Sequence, residues 1–418
     1  MKLLYWTTHL NGEILAHLRH AIGENRHEIL VAYDHWESFQ KEACQRLWPL
    51  SVRVIPRLDW RSQLEIQKFG ADVALVDDLL PPFPVASRVF VIWHGFGWKG
   101  PQDRMEMDTF LRQSERLVGP VVKANPRFAW KAYGEFDRRQ RIEKMGMAPE
   151  NVVKLGMAAG DDFFLRDVDP SAVREFYPFD PVAPTVLVAP TWHYGDPFYH
   201  WGGTDKVLTL LADSLRKWGV NMILRMHDRL RYSAGTVNRI QQWRRMQPHV
   251  MVKFQDENVD NTVDMMISSV LLTNFSSIAN TFYASRKPTV HWYPLERDLD
   301  QTVWRKLKCE GLASTDAGTR HNLWKLELTE NGGSLAMEPA EMIFQVREAL
   351  DNPRRDEFRA QRFLETYMHQ CDGHTCGRIT GFLEDFVTGT PGCYPPILQA
   401  FRPGVLRGLA RSFFNEIR

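Results

Sequence analysis

The chain is built around short, apolar, β-branched runs with helical patterns between them, and this arrangement occurs twice. The first series covers residues 2–6, 29–33, 52–55, 73–76, 89–93 and 152–155, each bounded by polar residues, glycine or proline. Residues 13–22, between the first two runs, have helical spacing. Strands that read as continuous apolar runs are covered on both faces, and that demands a parallel sheet with helical crossovers. Residues 166–184 then interrupt the pattern with Pro170, Pro178, Pro181 and Pro184, the composition of a linker. The second series covers 185–189, 222–225, 250–254, 270–273 and 289–292, with helices predicted at 204–218, 260–268 and 278–284. Thr204 is placed to cap the first of these helices and Gly219 to end it. The expectation is an α/β protein with two doubly wound, Rossmann-type domains facing each other across a cleft. Residues 1–165 would form the first domain, 166–184 the linker and 185–378 the second. Residues 379–418 would be C-terminal helices. The length of 418 residues suits two such domains.

In open parallel sheets ligands bind beyond the carboxyl ends of the strands, so the residues just after each run carry the functional information. Four such ends stand out. After residues 89–93 come His94, Gly95, Phe96, Gly97, Trp98, Lys99 and Gly100. The glycines let backbone approach a ligand closely. His94 has a titration range suited to taking a proton from a hydroxyl, and Lys99 can contact an anion. The plain alternative is a strand-end histidine bonded to a nearby backbone carbonyl. After 185–189, Pro190 and Thr191 open a loop to Gly203 rich in aromatic residues, histidine and glycine, and Thr191 can donate to a phosphate. After 222–225 come His227 and Arg229, a cationic pair for a phosphate or a solvated basic loop. The run at 270–273 ends in Thr273, Asn274, Phe275, Ser276 and Ser277, just before a helix. One serine can cap that helix while the other binds a ligand oxygen, and the free amides there favour a pyrophosphate. Each segment alone has an ordinary structural explanation. Two histidines, two serines and two threonines all falling after strands is harder to attribute to chance.

Composition narrows the function classes. The chain carries 52 Lys and Arg against 51 Asp and Glu, a net charge of +1, so the whole molecule is not an electrostatic binder of nucleic acid. The opening residues lack the long apolar stretch of a secretory signal, and no run is long enough to span a membrane. The five cysteines are scattered, which fits a reducing compartment. Cys371 and Cys376 have no second pair at zinc spacing, so no metal site is expected. The expected location is the cytoplasm, including the cytoplasmic face of the membrane.

Six short blocks follow one another along the chain: Trp93-His94-Gly95-Phe96-Gly97-Trp98-Lys99, Gly156-Met157-Ala158-Ala159-Gly160-Asp161, Ala189-Pro190-Thr191-Trp192, His227-Asp228, Thr273-Asn274-Phe275-Ser276-Ser277, and Asp372 through Arg378. In this order they resemble the CDP-glycerol glycerophosphotransferases, the teichoic-acid and capsule polymer primases and polymerases with a GT-B-type fold. The resemblance covers Val89 to Arg378. It implies attack of an acceptor hydroxyl on the β-phosphorus of a CDP-alditol, with CMP leaving. It assigns His94 and His227 as catalytic, His94 being the general base and His227 holding the donor diphosphate. Lys99, Thr191, Arg229, Thr273, Asn274, Ser276, Ser277, Asp372 and Arg378 would bind the donor. The donor is a substrate, and no obligatory cofactor or metal is implied. The partners would be the nucleotide-activated donor and a glycan or lipid-linked acceptor.

The chain departs from the family pattern at several positions. Phe96-Gly97 replaces Thr-Pro, Asp228 replaces proline, and Asn274 and Asn280 replace aspartates. The donor alditol therefore stays open among glycerol, ribitol and a sugar. Two other readings share the same site: a GT-B glycosyltransferase or nucleotide-sugar epimerase, and a non-catalytic nucleotide- or glycan-binding subunit. Near the C-terminus, Val405, Leu406, Leu409, Phe413 and Ile417 recur at near-helical spacing among Arg407, Arg411 and Arg418. That face is expected to pack back on the first domain or to lie on an anionic membrane.

Overall fold

The computed structural model describes residues 1–96, 104–190, 198, 201–227, 229, 232–274, 276–292 and 330–389. Seven strands form the first sheet: β1 (Lys2–Trp6), β2 (Glu28–Ala32), β3 (Arg53–Ile55), β4 (Ala71–Val76), β5 (Ala86–Val91), β6 (Phe128–Ala132) and β7 (Val152–Lys154). Six form the second: β8 (Thr185–Ala189), β9 (Asn221–Met226), β10 (Val250–Phe254), β11 (Val270–Thr273), β12 (Thr289–Trp292) and β13 (Ser334–Ala336). Their orders are β3-β2-β1-β4-β5-β6-β7 and β10-β9-β8-β11-β12-β13, and every pairing is parallel. Each sheet therefore reverses direction once, between β1 and β4 and between β8 and β11. These are the switch points where a crevice opens at the carboxyl ends. The two doubly wound sheets and their α/β class match the expectation from the sequence.

Two strands were not legible. The sequence Phe-Ala-Trp-Lys-Ala of β6 lacks β-branched residues and carries a charge, yet all five residues are buried. Lys131 is tolerated there because Glu13 meets its ammonium and Gly156 O accepts from it at 3.1 Å. Glu13 also accepts the amides of Ala158 and Ala159, closing the start of the helix Ala158–Leu165. The other, β13, is a three-residue edge strand, too short to show a pattern. Thr204 does not cap its helix. It is the first helical residue of Thr204–Lys217, and Gly203, with φ of 95°, takes the cap position without a side-chain bond. Gly219, with φ of 70°, follows the end of that helix.

The two sheets share a buried seam. One apolar cluster runs from the first sheet to Leu187, Ala189, Ile223 and Leu271 of the second, through Val263 and Phe282. Polar groups cross the same seam. Glu42 accepts the amides of Val259 and Asp260 at 2.7 and 2.8 Å, and Arg19 bonds Asp162 at 3.1 Å and Asp260 at 3.3 Å. The linker is tied down too: Tyr177 donates its hydroxyl to Asp264 at 2.7 Å. The helix Thr375–Thr388 returns to the first sheet, where His17 lies between Tyr5 (2.9 Å) and Thr380 (3.3 Å) and Arg88 bonds the Gly389 carbonyl. Among the described residues no helix is long and apolar enough to cross a membrane. The amphipathic pattern over 405–417 lies outside the described residues.

Candidate functional site

The site begins where β5 leaves the sheet. Trp93 has φ of 59°, a left-handed backbone that costs a residue other than glycine about 1–3 kcal/mol. Packing holds it there. Its ring stands 4.9 Å from Trp130, and the Arg141 guanidinium lies over both indoles. Trp93 is buried while the His94 side chain is 43% exposed.

His94 Nδ1 lies 3.1 Å from the backbone carbonyl of Asp77. A carbonyl oxygen only accepts, so Nδ1 carries the proton and Nε2 of the neutral ring keeps its lone pair. The simple structural reading of His94, a bond to a nearby carbonyl, is thus the arrangement that leaves a base on the opposite nitrogen. Asp77 directly follows β4 and is fixed by the end of β1. Its carboxylate accepts from Thr7 Oγ1 (2.7 Å), Thr8 N (2.9 Å) and His9 N (2.9 Å). This network spans the switch point of the first sheet.

The next residue reaches the other sheet. A Cβ on Gly95 would stand 2.7 Å from Ser277 Oγ and 2.9 Å from its Cβ, so the close approach requires glycine. Ser277 precedes the helix Ile278–Tyr283 but makes no side-chain cap bond, contrary to the expectation that one serine would cap it. The backbone carbonyls of Ser276 and Ser277 instead accept the first amides, from Ala279 and Asn280. Both residues are half-buried. Beneath them, Thr273 is buried and its hydroxyl donates to the Ala189 carbonyl at 2.6 Å, tying β11 to β8 at the second switch point. Asn274 is buried, and its carbonyl accepts from His291 Nδ1 at 3.0 Å. Burial pushes His291 down to about 4, so its ring stays neutral and takes a second bond from the Tyr283 hydroxyl.

The remaining positions stand apart. His227 lies one residue past β9, with its amide on Tyr232 Oη. In the order β9-β8-β11 it is two strand spacings, about 10 Å, from the end of β11. Arg229 is engaged by Asp256 at 2.7 Å and Glu257 at 2.6 Å, so carboxylates already balance its charge. Asp372 and Arg378 bind each other at 2.8 and 2.9 Å, and Arg378 also reaches the Leu155 carbonyl and Thr375 Oγ1. They organise the loop before the helix Thr375–Thr388, on the β7 side of the first sheet. Lys99 and Thr191 lie outside the described residues.

Several residues received no role from the sequence. Asp77 and Asp78 immediately follow a buried strand, the same signal that pointed to His94. Phe96 packs against Tyr133, Phe136, Phe363 and Tyr367, with centroids about 6 Å apart, and anchors the His94 loop to the helix Glu357–Tyr367. Glu42, Cys44 and Asp260 bring three metal-ligand atoms together, but at the seam. Their valences are taken: Glu42 accepts two amides, Asp260 accepts from Arg19 and Thr262, and burial pushes the Cys44 thiol up so that it stays protonated. They act as an inter-sheet clasp.

By sequence, no family model and no curated protein matches this chain. By structure, a histidine-to-asparagine variant of the wall teichoic acid polymerase TagF superposes with a TM-score of 0.65 at 13% identity, covering 92% of this chain and 89% of that one. The fold is of the GT-B type. The same frame is seen in the UDP-GlcNAc 2-epimerase from Neisseria meningitidis bound to UDP-GlcNAc (TM-score 0.54, 12% identity, 92% and 100% covered). A putative UDP-N-acetylglucosamine 2-epimerase from Listeria monocytogenes gives a TM-score of 0.52 at 10% identity, with 94% and 99% covered. On the GT-B frame the contact between Gly95 and Ser277 joins the strand-end loops of the two Rossmann-like units.

Proposed function

We propose that this chain is a transferase moving glycerol phosphate, or a related alditol phosphate, from a CDP-linked donor to a hydroxyl of a glycan or lipid-linked acceptor. The process served is synthesis of a cell-surface polymer, in the cytoplasm or on the cytoplasmic face of the membrane. Residues 1–165 would take the acceptor and 185–378 the donor. The observation that carries this reading is the tautomer of His94: Nδ1 is committed to the Asp77 carbonyl, which leaves the lone pair on Nε2, and the next residue, Gly95, meets Ser277 of the other sheet. The order of sequence blocks supports the CDP donor. The fold shared with TagF, one form of which was soaked with CDPG, agrees with it.

In the proposed reaction Nε2 takes the acceptor hydroxyl proton as that oxygen bonds to the β-phosphorus. The bond from the β-phosphorus to the bridging oxygen breaks, and CMP departs with the electron pair. Such transfers need positioning and charge stabilisation more than covalent chemistry. The Ser276 and Ser277 hydroxyls, with His227, would hold the diphosphate. Incubation with a panel of CDP-alditols and nucleotide sugars, with mass measurement of both products, tests this reading. CMP with an alditol-phosphate adduct is expected.

The fold shared with an epimerase bound to UDP-GlcNAc favours a second reading, a nucleotide-sugar epimerase or glycosyltransferase. Its signature is an epimerised sugar or release of a nucleoside diphosphate. Donor binding without any product would instead mark a binding subunit, the reading prompted by Asn274.

A further inference from the structure

We propose that Asp78 is a positioning residue for His94, its carboxylate held beside the protonated ring nitrogen to stabilise the imidazolium that forms during transfer. This rests on the reading of His94 as the base. His94 Nδ1 faces two consecutive residues at the end of β4: the Asp77 carbonyl at 3.1 Å and the Asp78 carboxylate at 4.0 Å. The division of labour follows from their other bonds. The Asp77 carboxylate is buried and committed to Thr7, Thr8 and His9. The Asp78 carboxylate is about one-third exposed, and its contact with His94 becomes an ion pair once that ring is protonated.

When Nε2 takes the acceptor proton the ring gains a full positive charge. The acceptor O–H bond breaks, the new O–P bond forms, and CMP leaves with the electrons of the broken P–O bond. Asp78 gains no proton. Its charge interacts weakly with the neutral ring and favourably with the cation, so it acts on the step in which the cation forms. The other charged groups around the ring do not substitute for it. The Asp77 carboxylate faces the end of β1, and Arg141, beneath Trp93, is paired with Asp137. The partial exposure of Asp78 limits the effect, as for other solvent-screened pairs.

Asp78→Asn keeps the shape and removes the charge. The expected result is a fall in kcat of about two- to fivefold with KM nearly unchanged, and recovery of most of the loss in Asp78→Glu. A readout free of substrate comes from diethylpyrocarbonate, which modifies neutral imidazole. With the Asp78 charge gone, the imidazolium loses a stabilising neighbour, so His94 in Asp78→Asn should be modified about two- to fivefold faster than in the wild type at the same pH, as followed by peptide mass. Asp78→Ser serves as a second charge-free variant if the asparagine fails to fold. Equal modification rates in wild type and both charge-free variants would overturn the proposal. So would a kcat that Asp78→Glu does not restore. If no CDP-alditol is turned over the transferase reading fails, while the modification rates still decide the role of Asp78.

Discussion

Gly95 of one sheet and Ser277 of the other approach so closely that a Cβ on the glycine would lie 2.7 Å from the serine Oγ. The first prediction follows from this contact. Gly95→Ala should destabilise the protein by about 1–3 kcal/mol, because side chain and backbone must both move. Ser277→Ala should not rescue it, since the serine Cβ itself would be 2.9 Å away, whereas Ser277→Gly should. Chemical unfolding in a double-mutant cycle checks the pair, and additive effects would mean the two loops do not meet.

His94→Ala should lower turnover by about 100-fold or more, the scale of a lost general base, and leave donor binding largely intact. His227→Ala and Ser276→Ala should instead weaken donor binding. Calorimetric titration with CDP-glycerol beside steady-state rates separates the two classes. Near-wild-type turnover in His94→Ala would remove His94 as the base.

Arg19 is buried between Asp162 and Asp260 and joins the two sheets. Arg19→Met should cost about 3–5 kcal/mol, because two buried carboxylates lose their shared counter-charge. Urea unfolding measures it. A loss below about 1 kcal/mol would show that the clasp contributes little.

Two buried groups set opposing pH dependences. Burial, then the nearby histidines His20 and His27 and Lys131, pushes His17 from 6.5 down to about 3. The unfolded chain therefore binds more protons between those values, and the contribution of His17 to stability, complete above about pH 6.5, is lost as pH falls toward 3. Burial, then Asp260, pushes Glu42 from 4.5 up to about 8. Here the folded chain holds the extra proton, so stability declines as pH rises from 4.5 through 8. Unfolding midpoints measured across this range should show a maximum between the two limbs. Glu42→Gln should flatten the alkaline limb and His17→Asn the acid one.

Most strands were readable because central parallel strands are apolar on both faces, a property each short segment carries by itself. The same logic exposed His94, His227, Thr273 and Ser276, since a polar residue directly after a buried run lies at a strand end whatever the topology. β6 was hidden because Lys131 contradicts its burial, and the contradiction is resolved by Glu13, 118 positions away.

What the sequence determined by itself is the α/β class, the two series of strands and the polar residues at their ends. These are local properties, set by side-chain pattern within one segment. Only the tertiary structure decided which ends meet: the Asp77 carbonyl under His94, Gly95 against Ser277, and Arg229 between Asp256 and Glu257. Those pairings depend on strand order and on how two sheets pack across a common seam, which no single segment encodes.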